Sequence, residues 1–312
     1  MTSNKSFMKE KNTDIAEVLL RNVKALSAGC GVSQKMIPAG GAPLPSPDAL
    51  QSMVDLLKKI MFHGFFDERK TNEDVRSYTI GVHLEEVFSL LKRQIARAII
   101  YKYNEQSSLE VKRKAADLTL QFIDSVPEIR RVLYTDVEAM FDNDPAVDNY
   151  GEVIFSYPVV QAMASYRIAH RLLKLGVPVI PRIITEQAHS KTGIDIHPGA
   201  EIGSYFSIDH GTGVVIGETC VIGNHVTLYQ GVTLGARNFK LGGASAGKDA
   251  PRHPVLEDNV TIYSNSTVLG HVTIGHDTVI GGNVWVTTSL PPHTTLVQGK
   301  AVSIGFTDGA GI

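Results

Sequence analysis

From about residue 194 onward, aliphatic residues recur at a fixed six-residue interval, a period that neither a Rossmann fold nor a sandwich would impose. The anchors are Ile196, Ile202 and Ile208, then Ile216, Ile222, Leu228 and Leu234, then Leu256, Ile262, Val268, Ile274, Ile280 and Val286. Six residues fit one short strand plus a turn, so each anchor is expected to point inward, and three units close one coil of about 18 residues. Glycine follows the anchor at 203, 217, 223, 235, 275 and 281, where its backbone freedom is expected to serve the corners. The fifth place of most units is small or β-branched: Ala200, Thr212, Cys220, Val226, Val232, Val260, Ser266, Val272, Thr278 and Val284.

The first 190 residues are of another kind, for they hold only eight of the 28 glycines. Apolar residues fall at helical spacing over 14–28, 47–65, 82–104, 106–124 and 153–176. The expected organisation is a flexible segment over 1–45, a helical domain over 46–185, a solenoid over 190–290 with a loop at 236–254, and a tail over 291–312. Pro291-Pro292-His293-Thr294 is expected to end the solenoid.

Charge narrows the function classes. Thirty basic residues against 32 acidic ones give a formal charge of −2, which offers no reason to seek nucleic acid or an anionic membrane. No apolar run is long enough to span a bilayer, and Cys30 and Cys220 are too few for a disulfide framework, so a cytoplasmic location is expected. Cys220 sits at an inward fifth place and reads as packing rather than as an acyl-carrying nucleophile.

The repeat is interrupted twice, by two extra residues between Ile208 and Ile216 and by sixteen between Leu234 and Leu256. Insertions in a solenoid become surface loops, where function concentrates, and both interruptions contain histidine. The motifs around them follow in the order Asp195-Ile196-His197-Pro198, Asp209-His210-Gly211-Thr212-Gly213, Gly217-Glu218 and Arg252-His253-Pro254. Upstream stand Asp144-Pro145-Ala146 and Ser165-Tyr166-Arg167-Ile168-Ala169-His170. Together these resemble serine O-acetyltransferase, of the hexapeptide-repeat acyltransferases, over roughly residues 130–305. The resemblance implies an α+β chain, an N-terminal all-α domain followed by a left-handed parallel β-helix, and it alone supplies the handedness.

Acetyl transfer from a thioester to a hydroxyl needs a base for the hydroxyl proton and a carboxylate to orient that base, and it needs no protein nucleophile. The resemblance assigns His210 as base and Asp195 as its partner. A coil of 18 residues would place Asp195 under Gly213, at the corner of His210. His253 falls about one and a third coils beyond His210 once the insertion is removed, so the two histidines should face apart in one chain. A homotrimer, or a dimer of trimers, would then complete each site with His210 from one copy and His253 from the next.

The resemblance further assigns Arg252 to the carboxylate of L-serine, Asp144, Asp209 and Glu218 to the acidic surroundings of the amino-acid pocket, and His253 to the reacting hydroxyl or oxyanion. Acetyl-CoA is the implied co-substrate, with Ala236, Ser264 and Gly282 along its groove and Arg237, Lys240 and Lys248 near its phosphates; no metal is expected. L-Cysteine as a feedback inhibitor, and O-acetylserine sulfhydrylase as a partner gripping Ile312, are further implications. His197, His225, His271, His276 and His293 are read as structural. The rivals are a hexapeptide acyltransferase acting on a sugar or sugar nucleotide, a zinc enzyme resembling γ-class carbonic anhydrase that would use the spacing of His271 and His276, and a scaffold subunit that uses only its tail.

Overall fold

A computed structural model of the chain describes residues 15–28, 43–66, 73–105, 107–237 and 250–299. The chain divides between residues 42 and 43 into two units. In the first, helix α1 (Ile15–Ser27) leaves Ile15, Leu19, Leu20, Val23 and Leu26 exposed, Leu26 at 85%. Cys30, Lys240, Lys248 and Ile312 lie outside the described residues.

The second unit opens with α2 (Pro47–Met61), α3 (Glu73–Tyr103), α4 (Leu109–Asp124), α5 (Val126–Asn143), α6 (Tyr150–Ser156), α7 (Pro158–Lys174) and α8 (Ile180–Thr192). Ser46 caps α2 by accepting the Ala49 amide, and Pro47 takes the first turn, where its missing N–H costs nothing. The expected helix over 153–176 is divided, because Pro158 cannot continue the ladder of α6 and starts α7 instead. Helix α8 ends on left-handed Gly193, so the helical part runs to residue 192 rather than 185.

The solenoid follows as β1 (Asp195–Ile196), β2 (Glu201–Ile202), β3 (Ser207–Asp209), β4 (Val215–Ile216), β5 (Val221–Ile222), β6 (Thr227–Tyr229), β7 (Thr233–Gly235), β8 (Val255–Leu256), β9 (Thr261–Ile262), β10 (Thr267–Leu269), β11 (Thr273–Ile274), β12 (Val279–Ile280), β13 (Trp285–Val286) and β14 (Thr295–Leu296). They stack in parallel as three faces: β1-β4-β7-β10-β13, then β2-β5-β8-β11, then β3-β6-β9-β12-β14. All thirteen anchors are buried. The solenoid also reaches beyond Val286, since β14 pairs with β12 past the two prolines.

Two details of the repeat differ from expectation. The six glycines that follow anchors do not have positive φ; the left-handed corner residues lie two places later, as at Tyr205, His225, Asp277 and Asn283. The glycines serve close approach instead: a Cβ on Gly203 would stand 2.6 Å from the Gly223 carbonyl oxygen of the next coil. Thr212 is exposed, and Val214 takes the inward place, because the two-residue insertion shifts the register.

The helices grip the first coil through the Ser165-Tyr166-Arg167 segment. Tyr166 donates its hydroxyl to the Ala200 carbonyl at 2.7 Å. Arg167 donates to the carbonyls of Ile202 and Gly203, each at 2.6 Å, and pairs with fully buried Asp136 at 2.9 and 3.1 Å. These bonds join the helices to the solenoid within the second unit.

Candidate active site

The two histidines of interest, His210 and His253, each sit where the repeat turns a corner or is interrupted. His210 follows β3 at the corner between the third and first faces and has a left-handed backbone, φ 59°. Its side chain is 74% exposed, and its Nε2 lies 3.7 Å from a carboxylate oxygen of Asp209. Asp144, just past the end of α5, carries a negative charge toward the same imidazole. Tyr157 donates its hydroxyl to Asp144, and the Ala146 amide donates to it at 2.9 Å. Those two donors, the tyrosine first, hold the Asp144 carboxyl below its ordinary range, while burial and the same carboxylate push the Tyr157 phenol up to about 12. Asp144, Tyr157, Asp209, Ser207 and Tyr229 line one small cleft.

Asp195 lies near this corner but not under Gly213. The first coil holds twenty residues, so Asp195 stands beside Val215 and Gly193 beside Gly213. The carboxylate of Asp195 meets Arg182 at 3.9 Å. Among the described residues no hydrogen bond or ion pair joins it to His210, whose ring is turned outward.

A second cluster stands at the corner between the first and second faces. His253 precedes β8 and is buried, 8% exposed. Its Nδ1 accepts the Thr219 amide at 3.1 Å and lies 2.8 Å from the Thr219 hydroxyl. That hydroxyl oxygen in turn accepts the amides of Arg252 at 2.9 Å and His253 at 3.1 Å. The ring lies over Gly217, where any Cβ would collide with it. Burial, and then the Arg252 charge, hold the His253 pKa down. Arg252 is paired with Glu218.

The residues expected along the coenzyme groove divide in the same way. Ser264 and Gly282 stack on neighbouring coils at the corner of His210, where a Cβ on Gly282 would lie 3.2 Å from the Ser264 carbonyl. Ala236 and Arg237 follow β7 at the corner of His253. The structure therefore gathers Asp144, Asp209 and His210 with Ser264 and Gly282 along one edge of the first face. It gathers Glu218, Arg252 and His253 with Ala236 along the other.

Cys220 is fully buried, and burial pushes its thiol up to about 12, which denies it a nucleophilic thiolate. His271 turns its Nδ1 to the His253 carbonyl at 3.2 Å, so it does not gather with His276. His276 instead meets Asp277 and His293 in an exposed group whose ligand atoms lie within 4.8 Å of one another. His225 stacks on Tyr205 with centroids 4.4 Å apart. Tyr157 and Thr219 were not singled out from sequence; the Thr after Gly217-Glu218 was the available signal. No described helix is long and apolar enough to cross a membrane.

Known proteins resemble this chain in sequence and in fold. The family described as "Bacterial transferase hexapeptide (six repeats)" matches residues 253–288. A serine acetyltransferase of Bacillus subtilis is 45% identical over 167 residues, covering 54% of this chain and 73% of the relative. Among solved structures, serine acetyltransferase isoform 3 of Entamoeba histolytica in complex with cysteine superposes with a TM-score of 0.70 at 31% identity, covering 94% of both chains. Serine acetyltransferase 1 of the same organism, in complex with L-cysteine, gives 0.68 at 36% identity, covering 78% of this chain and 85% of that one. A plasmid-encoded serine acetyltransferase of Synechococcus elongatus is 44% identical over 276 residues, 86% of each chain, and on that ground this chain belongs to the serine acetyltransferase family.

Proposed function

We propose that the chain transfers the acetyl group of acetyl-CoA to the hydroxyl of L-serine by direct attack, in sites completed between copies. His210 takes the hydroxyl proton as the serine oxygen attacks the thioester carbonyl; His253 faces the developing oxyanion; the departing thiolate recovers the proton from His210. Asp144, kept ionised by Tyr157 and the Ala146 amide, and Asp209 receive the substrate ammonium. Arg252, oriented by Glu218, receives the carboxylate. Asp195 becomes the partner of His210 once the imidazole turns inward over the bound substrate. L-Cysteine, with a thiol in place of the hydroxyl, fits the same pocket.

The observation that carries this reading is the shared split of histidines and groove residues between two edges of one face. A single chain holds half a site on each edge, and the neighbouring copy in a ring brings the complementary half. Mixing His210→Ala chains with His253→Ala chains should restore about one quarter of native activity, because a junction works only when each copy supplies its intact histidine. No recovery would remove the shared site. Release of free coenzyme A on adding L-serine, but not sugars, tests the substrate; release with a sugar alone would favour the sugar acyltransferase. The sulfhydrylase contact through Ile312 belongs to the same reading and predicts loss of co-purification when that residue is deleted.

A further inference from the structure

Two histidines serve the proposed reaction, and their surroundings divide the labour between them. The ring of His253 is fixed at Nδ1 by a donor whose direction admits no choice, since the Thr219 amide can only give its proton. The Thr219 hydroxyl is equally constrained. Its oxygen already accepts the amides of Arg252 and His253, so its own proton is left for Nδ1 at 2.8 Å. Two donors aimed at Nδ1 exclude a proton there, and the neutral ring must carry its hydrogen on Nε2. From this we infer that Thr219 is a positioning residue that locks His253 as a hydrogen-bond donor and bars it from acting as the base.

The inference rests on the acetyl-transfer reading above and assigns within it a residue that touches no substrate. Thr219 sits at the corner between β4 and β5, and its one hydroxyl ties together the coil and the end of the long insertion. Arg252 and His253 are thus held from the backbone side by the group that also sets the tautomer. The charged and titratable neighbours of the ring act around this lock: burial and Arg252 disfavour the imidazolium, His197 adds to that, and Glu218 opposes it. An imidazolium would have to place a proton on Nδ1, against both donors. Among the described residues no such pair of donors is aimed at His210, whose side chain stands in solvent beside Asp209. The two environments thus push one ring toward donating and leave the other to accept.

The test compares Thr219→Val and Thr219→Ser with the native full-length enzyme, using ring 15N NMR and steady-state kinetics with L-serine and acetyl-CoA. In the native enzyme the His253 ring should show a protonated Nε2 and an unprotonated Nδ1 at neutral pH. Thr219→Val should lower kcat by about 10-fold to 100-fold. The KM for acetyl-CoA should stay within about twofold, and the His253 ring should become easier to protonate. Thr219→Val keeps the backbone amide at Nδ1 but loses the hydroxyl donor, whereas Thr219→Ser, which keeps the hydroxyl, should restore the native resistance of the ring to protonation and most of kcat, a rescue that simple loss of packing would not give. A native ring protonated on Nδ1, or a Thr219→Val enzyme with kcat within about twofold of native, would overturn the inference. If the native protein instead fails to acetylate serine, the functional reading falls, while the NMR tautomer still decides the role of Thr219.

Discussion

Replacing Arg167 with methionine isolates the contact that joins the helices to the first coil. The guanidinium makes two bonds to Asp136, at 2.9 and 3.1 Å, and two to the carbonyls of Ile202 and Gly203, at 2.6 Å each. Asp136 has no exposed surface; burial raises its carboxyl to about 6, against the pull of Arg167 and the Phe206 amide. Removing one partner of such a pair costs about 3–5 kcal/mol. With roughly 2–4 °C per kcal/mol for a unit of this size, the thermal midpoint should fall by about 10 °C at pH 8.

The loss should depend on pH. Without Arg167 the folded carboxyl titrates still higher than about 6, whereas in the unfolded chain it titrates near 3.8. The folded variant therefore binds the extra proton across that window, so its stability declines as pH rises and recovers as pH falls. Calorimetry at fixed protein concentration, at pH 8 and pH 5, should show the smaller deficit at pH 5. Adding Asp136→Leu should return the part due to the orphaned charge but not the part due to the two carbonyls. A midpoint within about 2 °C of native at pH 8, or equal deficits at both pH values, would refute the reasoning.

Tyr157→Phe removes the first of the two donors that keep Asp144 ionised. The KM for serine should rise several-fold, most at acidic pH, with the KM for acetyl-CoA unchanged; a serine KM equal to native would discard the assignment. His170, His197 and His253 all have pKa values lowered chiefly by burial, from 6.5 in the unfolded chain. Their contribution to stability is fully present above about 6.5 and is lost as pH falls through that value toward the lower folded ones. Asp136 acts in the opposite sense below about 6, so the histidine slope is best read from pH 7.5 to about 6. There, the thermal midpoint should fall with acidification, and His170→Gln should flatten that fall; an unchanged slope in the variant would count against it.

The solenoid was legible because one aliphatic residue in six must be buried whatever the neighbours are, and every anchor from Ile196 to Val286 obeys. Corner chemistry was less legible. Glycine after an anchor suggested turning, but Gly203 and Gly217 are needed for what lies against them, a neighbouring coil and an imidazole, and sequence records no neighbours. Helices α5 and α8 were missed because α5 follows α4 across Ser125 with no linker composition, and α8 is short and amphipathic in front of the repeat. The positions of His210 and His253 on different corners followed from counting alone. The ring orientation of His210 and the role of Thr219 did not, because both depend on side-chain torsions and on amides brought from 34 residues away.

Within the solenoid, each coil's amides donate to carbonyls one level on, as Glu201 does to Cys220 and Gly203 to Ile222. The carbonyls of Ala200 and Ile202 are the corresponding acceptors of the first level, and there the donors are Tyr166 and Arg167. Two side chains thus imitate the rung that a preceding level would have furnished, and the ladder is closed to head-to-tail growth at that end. A chain stripped of its helices would present the same row of oxygens bare, an unpaired edge open to donors from another molecule, and self-association would be its natural product.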